Sequence, residues 1–512
     1  MKKRILAMTV LFVISTVLAW STGQAAEEGT QSSAKPYEVL FWEHGPWTRA
    51  EFPDPATDFV AKAIREKYNI DIKIMAAPTD GADAKLNAMI AAGEMPDMIQ
   101  NYWGMGSVLV QQYIDQGVII PIDDYINNQA YLKTYLTSDE WTYLSLNGKK
   151  YALAQPRPIQ NWLTIWTRKD WLDNLGLKVP TTVQELEIVA KAFTFDDPDG
   201  NGKDDTYGFT AQTNFGMTNA IFAPFGAFPG HNFIRVENNK VVFDAFSPQA
   251  KQALEWWKSQ IDAGVVDPNW ATNRFDNMKE SIVQGKIGLP VWEFQMLRSG
   301  PSQSFCWDAM QTTTPEAEWI QVPAVKGPFG NYTGWDGALV DCKFMFTRQI
   351  ESEEGKSKAL FAYLNDVMNP AGEMYKTQIY GIEGVTYEND DQGKRIKRMS
   401  PPELKWLSYY VVFRRGDEGY FWYYKQEPRD LWSKLMLTAS QPRISNVTPL
   451  AILPSEWADL DIYLQEMHMK FATGQEPFSK WEDFVNTANT TYGLSKISAD
   501  VTAQMKTLGA IK

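Results

Sequence analysis

The densest run of oxygen-bearing side chains is Asp197-Pro198-Asp199-Gly200-Asn201-Gly202-Lys203-Asp204-Asp205. Asp197, Asp199, Asn201 and Asp205 present oxygen at alternate positions, a glycine stands sixth, and the seventh residue, Lys203, can offer its carbonyl. That is the logic of a calcium loop, in which the glycine permits the sharp turn. A loop of the EF-hand kind also wants a bidentate glutamate at its twelfth position, and here that place is Gly208. Two readings stand: structural calcium held by these residues, or an Asp/Asn/Gly turn closed by its own side chains.

Aromatic and polar residues in pairs supply the second kind of chemistry. Twenty tryptophans and 22 tyrosines exceed what a core of this size requires. Sugar clefts use such rings because the C–H face of a pyranose stacks on them, although most aromatics in any protein are core. Trp42-Glu43-His44, Asn101-Tyr102-Trp103, Trp162, Trp292-Glu293-Phe294 and Trp335-Asp336 are the pairings that fall at ends of apolar runs or at crossings. Other chemistries lack their residues. There is no Gly-x-Ser-x-Gly elbow, no His-Glu-x-x-His and no Walker loop, and Cys306, Cys342, His44, His231 and His468 have no zinc spacing. The two cysteines allow either one disulfide or two separately buried thiols.

The elements that must position these residues read as α/β. Val39 to Trp42 is a buried strand. Asp54-Pro55 opens a helix on which Phe59, Val60, Ala63, Ile64 and Tyr68 recur at helical spacing; Ile70, Ile72 and Ile74 alternate as the next strand. A helix from about Gly81 to Ala92 and a strand from Asp97 to Gln100 follow. This β-α-β-α-β order predicts a mostly parallel sheet, with ligands bound beyond the carboxyl ends of its strands. Pro156-Arg157-Pro158 then forbids helix and denies two ladder donors, so it reads as an extended crossing to a second lobe. Trp162 to Trp166 resumes as a strand, and Thr182 with Glu185 forms a capping box. Asn238-Asn239 marks a hairpin, Ser247-Pro248 starts a helix, and a further helix from about Asn273 to Gln284 leads into a buried strand, Ile287 to Val291. Gln321-Val322-Pro323 reads as a second crossing.

Met1 to Ala25 has a basic start, an apolar stretch and a small-x-small cleavage signal, so it predicts export; the apolar stretch falls short of the roughly 20 residues that span a bilayer. No cysteine follows the cleavage signal to carry a lipid anchor, which predicts a soluble periplasmic protein. The net charge of −13 argues against nucleic acid or an anionic membrane as partner.

Several segments together resemble the extracellular solute-binding proteins of ATP-driven importers, in particular the large carbohydrate-binding group that includes alginate-oligosaccharide binders. They are Ala91-Ala92-Gly93-Glu94-Met95-Pro96-Asp97, Arg168-Lys169-Asp170-Trp171-Leu172 with Gly176-Leu177 and Pro180-Thr181-Thr182, Asp197 to Gly208, Gly285-Lys286-Ile287-Gly288, Tyr380-Gly381-Ile382-Glu383-Gly384, and Gly474 through Trp481. The resemblance implies a two-lobed type II periplasmic-binding-protein fold, each lobe a mostly parallel sheet flanked by helices. It divides the chain into a signal peptide (1–25), a flexible leader (26–35), a first lobe (36–155, with a return segment about 320–342) and a second lobe (156–319, continued by 343–512). It also implies calcium at Asp197, Asp199, Asn201, the Lys203 carbonyl and Asp205, with Thr206 standing where relatives carry glutamate.

The function so implied is capture of an oligosaccharide and delivery to the membrane permease of an ABC importer, by a monomer that makes and breaks no bond. Trp42, Trp103, Trp162, Trp292 and Trp335 would stack on sugar faces, with Tyr102 beside them. Glu43, Arg157, Asn161 and Asp336 would hydrogen-bond hydroxyls, and an arginine could pair a uronate. The alternative is a secreted glycoside hydrolase, which needs two carboxylates set across a sugar and has no positive sign in the sequence.

Overall fold

The computed structural model describes residues 35–43, 57–78, 81–101, 104–156, 163–231, 233–297, 306–335, 340–389, 395–398 and 442–511. Its first strand, β1 (Tyr37–Glu43), is followed by helix α1 (Phe59–Tyr68), β2 (Ile70–Ala76), α2 (Ala82–Ala91) and β3 (Met98–Asn101). Both β2 and β3 pair in parallel with β1, as the β-α-β-α-β order predicts. The cap of α1 is Asp58, whose Oδ1 accepts from the Ala61 N–H at 2.9 Å; Asp54 lies outside the described residues. Asn69, at φ 54°, ends α1 and turns the chain directly into β2.

After β4 (Ala152–Pro156) the chain leaves this sheet, and β5 (Leu163–Arg168) begins another. Helix α3 (Val183–Phe195) follows. Thr182 Oγ1 caps it by accepting from the Glu185 N–H, while Glu185 reaches one residue further back than a capping box requires, accepting from the N–H and hydroxyl of Thr181 at 2.7 Å. Strands Ile234–Glu237 and Lys240–Phe243 form the hairpin, with Asn238 and Asn239 both at positive φ as a two-residue turn demands. The helix after Ser247 spans Pro248–Asp262, and the next spans Phe275–Val283.

β6 (Val291–Glu293) and β7 (Trp319–Gln321) flank β5, both antiparallel to it. The expectation of a mostly parallel sheet thus holds for three strands of the first lobe and not for this ladder. The strand expected at Ile287 to Val291 begins later, because Ile287 to Leu289 is tied to the segment before it: the N–H groups of Gly288 and Leu289 donate to the Tyr207 and Gly208 carbonyls. Gly288 also presses on Phe193, whose Cδ2 stands 2.1 Å from where a Cβ would be.

The return to the first sheet comes later than Pro323. Residues 325–332 form a small hairpin bonded to Thr181 and Pro224 of the second lobe, and the change of sheet falls between Trp335 and β8 (Val340–Phe346). β8 slots antiparallel between β3 and β4, completing the order β2-β1-β3-β8-β4. Helices α4 (Lys356–Val367) and α5 (Glu373–Tyr380) then cover this same sheet, with Phe361, Leu364 and Met374 in one core with Phe41, Ile99, Leu153 and Phe344. The expectation that everything after 343 continues the second lobe is therefore corrected. Among the described residues after β8, the chain joins the second core from Ile444 onward, through α6 (Trp457–Thr473) and α7 (Leu494–Thr507), around Trp171, Phe209, Trp257 and Phe484.

A buried ion pair fastens the amino end of the first sheet. Lys356 Nζ lies 2.7 Å from Asp97 Oδ1, and Asp97 Oδ2 accepts from the Leu40 N–H at 2.8 Å. Burial, against the pull of Lys356, holds the Asp97 carboxyl above its ordinary range.

Candidate functional site

The topology defines which sheet edges face the crossings. In the first lobe β4 runs into the crossing at its carboxyl end, and β1 and β3 point the same way through β8. Glu43 and Asn101 terminate β1 and β3 at that edge; Lys343 of β8 sits opposite Asn101, and Gln100 lies one residue inward. All four are buried, which water-loving groups of this kind tolerate only when engaged by polar partners or ligand. Gln100 Oε1 and Trp42 Nε1 have no hydrogen-bond partner among the described residues.

In the second lobe β5 starts just after the crossing, so Glu293, opposite Leu163 in β6, marks its cleft edge. Gln295 Nε2 stands 3.5 Å from Glu293 Oε2, and both residues are buried. The Glu293 carbonyl accepts from Trp166 Nε1 at 3.1 Å, fixing the strand end. The later crossing begins with a short pairing of two segments: Thr333 N–H donates to the Pro442 carbonyl and Ile444 N–H to the Gly334 carbonyl, bringing Trp335 alongside Ile444.

Among the sequence-derived site residues the structure separates three kinds. Trp335 is half-buried, its ring backed by Phe228 and Phe233 at centroid distances of 4.4 and 4.0 Å. Trp42 and Trp292 are 0% exposed. Trp292 lies inside the β6 ladder opposite Thr164 rather than hanging past its end, and packs on Phe275 at 4.7 Å. Trp42 sits in the first core with Lys85 Nζ 5.7 Å from its ring. Both rings are thus covered by protein here, since each belongs to a strand whose inner face is the core. Glu43 is at the edge as expected. Tyr102, Trp103, Arg157, Asn161, Trp162 and Asp336 lie outside the described residues.

Lys343 and Gln295 are edge residues that the sequence reading passed over, while Asn101 and Glu293 stood within its aromatic and polar pairings without being chosen as ligand contacts. Lys343 left the clearest signal, a lysine among Cys342, Phe344, Met345 and Phe346 in an apolar strand. No alternation or motif marks Gln295.

The Asp197 loop closes on itself. Asp197 Oδ1 and Oδ2 accept from the N–H groups of Asn201 and Gly202 at 3.0 Å, and the Asn201 amide donates to Asp199 Oδ2 at 2.8 Å and Asp205 Oδ1 at 3.2 Å. Partial burial, then the neighbouring Asp197 and Asp205, hold the Asp199 carboxyl above its usual range. The all-oxygen donor set suits a hard cation such as calcium, and turning the Asn201 amide over would present its Oδ1 to the same carboxylates. Among the described residues no three carboxylate, imidazole or thiol side chains yet converge as a metal cluster. Gly208 stands at the twelfth position because helix α3 passes there: a Cβ would meet Ala190 Cβ at 2.5 Å, leaving no place for a glutamate. Thr206 is likewise turned inward, donating to the Phe193 carbonyl at 2.7 Å.

Cys306 and Cys342 are buried in different clusters and are not bridged to each other, one in the cluster of Trp292 and the other in the first core. Burial pushes the Cys306 thiol up to about 12. No helix among the described residues is long and apolar enough to cross a membrane.

Residues 25–331 match the family described as bacterial extracellular solute-binding protein, and the chain belongs to that family. It is 26% identical over 409 residues to the polygalacturonan/rhamnogalacturonan-binding protein YtcQ of Bacillus subtilis, covering 79% of this chain and 78% of that one. Over 292 residues it is 24% identical to the fructooligosaccharide ABC transporter substrate-binding protein FusA of Streptococcus pneumoniae, covering 54% of this chain and 51% of the relative. The fold agrees with that of FusA in complex with kestose (TM-score 0.67, 20% identity, 92% of this chain and 99% of that one). It agrees equally with the alginate-binding protein AlgQ2 without calcium ion (TM-score 0.68, 16% identity, 92% and 98%). These structures are two-lobed binding proteins of the type II class, and the present chain shares that architecture.

Proposed function

We propose that this protein is the exported solute-binding subunit of an ABC importer, capturing an oligosaccharide between its lobes and handing it to a membrane permease. The observation that supports this reading is the presence of two separate α/β cores, each with buried polar residues at the strand ends next to the crossings: Glu43, Asn101 and Lys343 in the first and Glu293 in the second, with the half-open ring of Trp335 in the later crossing. Polar groups supply orientation and the ring a stacking face, the usual division of labour in a sugar cleft. Similarity to a binder of polygalacturonan and rhamnogalacturonan favours acidic pectic oligosaccharides as the first ligands to try. Lys343 at one edge is a charge that could answer a uronate.

Calorimetric titration with oligogalacturonides, rhamnogalacturonan fragments and 1-kestose tests the reading. Saturable binding of one of them at one site per chain, with no new reducing ends on prolonged incubation, is the expected result; turnover would instead make the protein a hydrolase. Calcium in the Asp197 loop belongs to the same proposal, supported by the oxygen donors of Asp197, Asp199, Asn201 and Asp205 and the Lys203 carbonyl. Its part is to stiffen the loop, with no contact to the sugar.

A further inference from the structure

The segment Pro449 to Leu453 touches both lobes. Ala451 belongs to the second core, whereas the next residue, Ile452, packs against the first. A single side chain holds Ile452 from both sides of its peptide: its N–H donates to Gln504 Oε1 at 2.8 Å, and Gln504 Nε2 donates to its carbonyl at 2.9 Å. Gln504 lies on α7, so the terminal helix grips the chain where it passes from one core to the other. On the far side this segment meets the loop after β3 backbone to backbone. A Cβ on Gly106 would stand 2.0 Å from the Ala451 carbonyl oxygen and 2.9 Å from Ile452 Cα, and a Cβ on Gly104 would stand 3.2 Å from the Pro449 oxygen. Only glycine admits that approach, and no compliant side chain lies between the two backbones to absorb a displacement.

The same stretch of chain begins at Pro442 and Ile444, paired with Thr333 and Gly334, directly before Trp335. Interfaces packed this closely switch between arrangements rather than deforming smoothly. From this geometry we propose that Gln504 is a positioning residue: by fixing Ile452 against Gly106 it forms a pivot that sets how far the lobes stand apart, and thereby where Trp335 is presented. The inference rests on the two-lobed binding reading, and it assigns α7 a part in affinity although Gln504 itself contacts no sugar.

Spin labels at Asp139→Cys in the first lobe and Lys191→Cys in the second, with Cys306 and Cys342 buried and unlabelled, report the distance between lobes without any ligand. Gln504→Leu, which keeps volume but loses both hydrogen bonds, is expected to add a longer-distance population. Gly106→Ala should do the same by pushing Ala451 away. Gln504→Glu keeps only the acceptor for the Ile452 N–H and should fall between. Affinity for an oligogalacturonide should fall about fivefold or more in Gln504→Leu, the lower end of ordinary coupling between sites. A merely structural role for Gln504 would lower the melting midpoint and leave the distance distribution of the folded protein unchanged. Distributions that superimpose on the parent's in Gln504→Leu overturn the pivot, even if Gly106→Ala fails to fold. Should no sugar bind the parent while the distances still shift, the sugar reading falls and the pivot stands.

Discussion

His468 Nδ1 accepts a hydrogen bond from the backbone N–H of Gly230 at 2.9 Å, in the interior of the second lobe. Its Nε2 is 2.9 Å from the Ala245 carbonyl, so the ring is neutral with its proton on Nε2, and a second proton would have to displace the Gly230 bond. Burial first, and His231 nearby, hold its pKa down from 6.5 to about 3, and burial lowers His231 as well.

The sign follows from linkage. Between about pH 6.5 and about pH 3 the unfolded chain takes up a proton at His468 and the folded chain does not. Stability from the neutral His468 ring is therefore complete above the unfolded value and declines as pH falls through that window, by up to about 1.4 kcal/mol per pH unit, and His231, lowered in the same direction, adds to the decline with the same sign. Urea titrations at pH 7, 6, 5 and 4 on the parent and on His468→Gln should show a shallower decline in the variant. Parallel declines would exclude His468 as a contributor.

Trp335 and Trp292 should respond oppositely to truncation. Trp292→Ala opens a cavity beneath Phe275 and should destabilise the fold by roughly 3 to 5 kcal/mol. Trp335→Ala leaves folding little changed and should weaken sugar binding by roughly 1 to 3 kcal/mol. Melting and calorimetry on both variants check this; normal binding by Trp335→Ala would remove it from the site.

Calcium is expected to raise the melting midpoint without being needed for sugar binding. An ion bound by the native loop alone stabilises by roughly 2.7 kcal/mol at a hundredfold excess over its dissociation constant. Asp199→Asn should abolish the difference between melts in chelator and in millimolar calcium. Identical melts of the parent in the two conditions mean that the loop is a plain turn.

Lys356→Met should be strongly destabilising, because it strands the Asp97 carboxylate in the core. Breaking one side of a buried pair is worth roughly 3 to 5 kcal/mol, and Asp97→Asn added to it should restore part of that loss. Denaturant midpoints of the two single variants and the double variant decide it; additive losses would mean the pair is not coupled.

Local signals carried most of the fold into the sequence. The alternation of Ile70, Ile72 and Ile74, the turn at Asn238-Asn239 and the caps at Thr182 and Ser247 act within a few residues, and each element stands where those residues place it. Long-range choices left no such trace. Nothing in Val340 to Phe346 says that its neighbours are Asn101 and Ala154, and nothing in Ile287 to Val291 says that its first half is claimed by Tyr207 and Gly208. The site suffered most from this. A tryptophan after an apolar run looks like a cleft residue, but Trp292 belongs to an antiparallel ladder whose inner face is core, a fact set by its partner Thr164.

The place of β8 between β3 and β4 has a consequence for how the protein is made. The first sheet lacks a central strand until residues 340–346 have been synthesised, long after β3 and β4 themselves. Pairings so distant along the chain make for slow folding, because loop closure must precede the contacts that reward it. A nascent chain held open in this way stays threadable through a secretion channel until most of its length is complete.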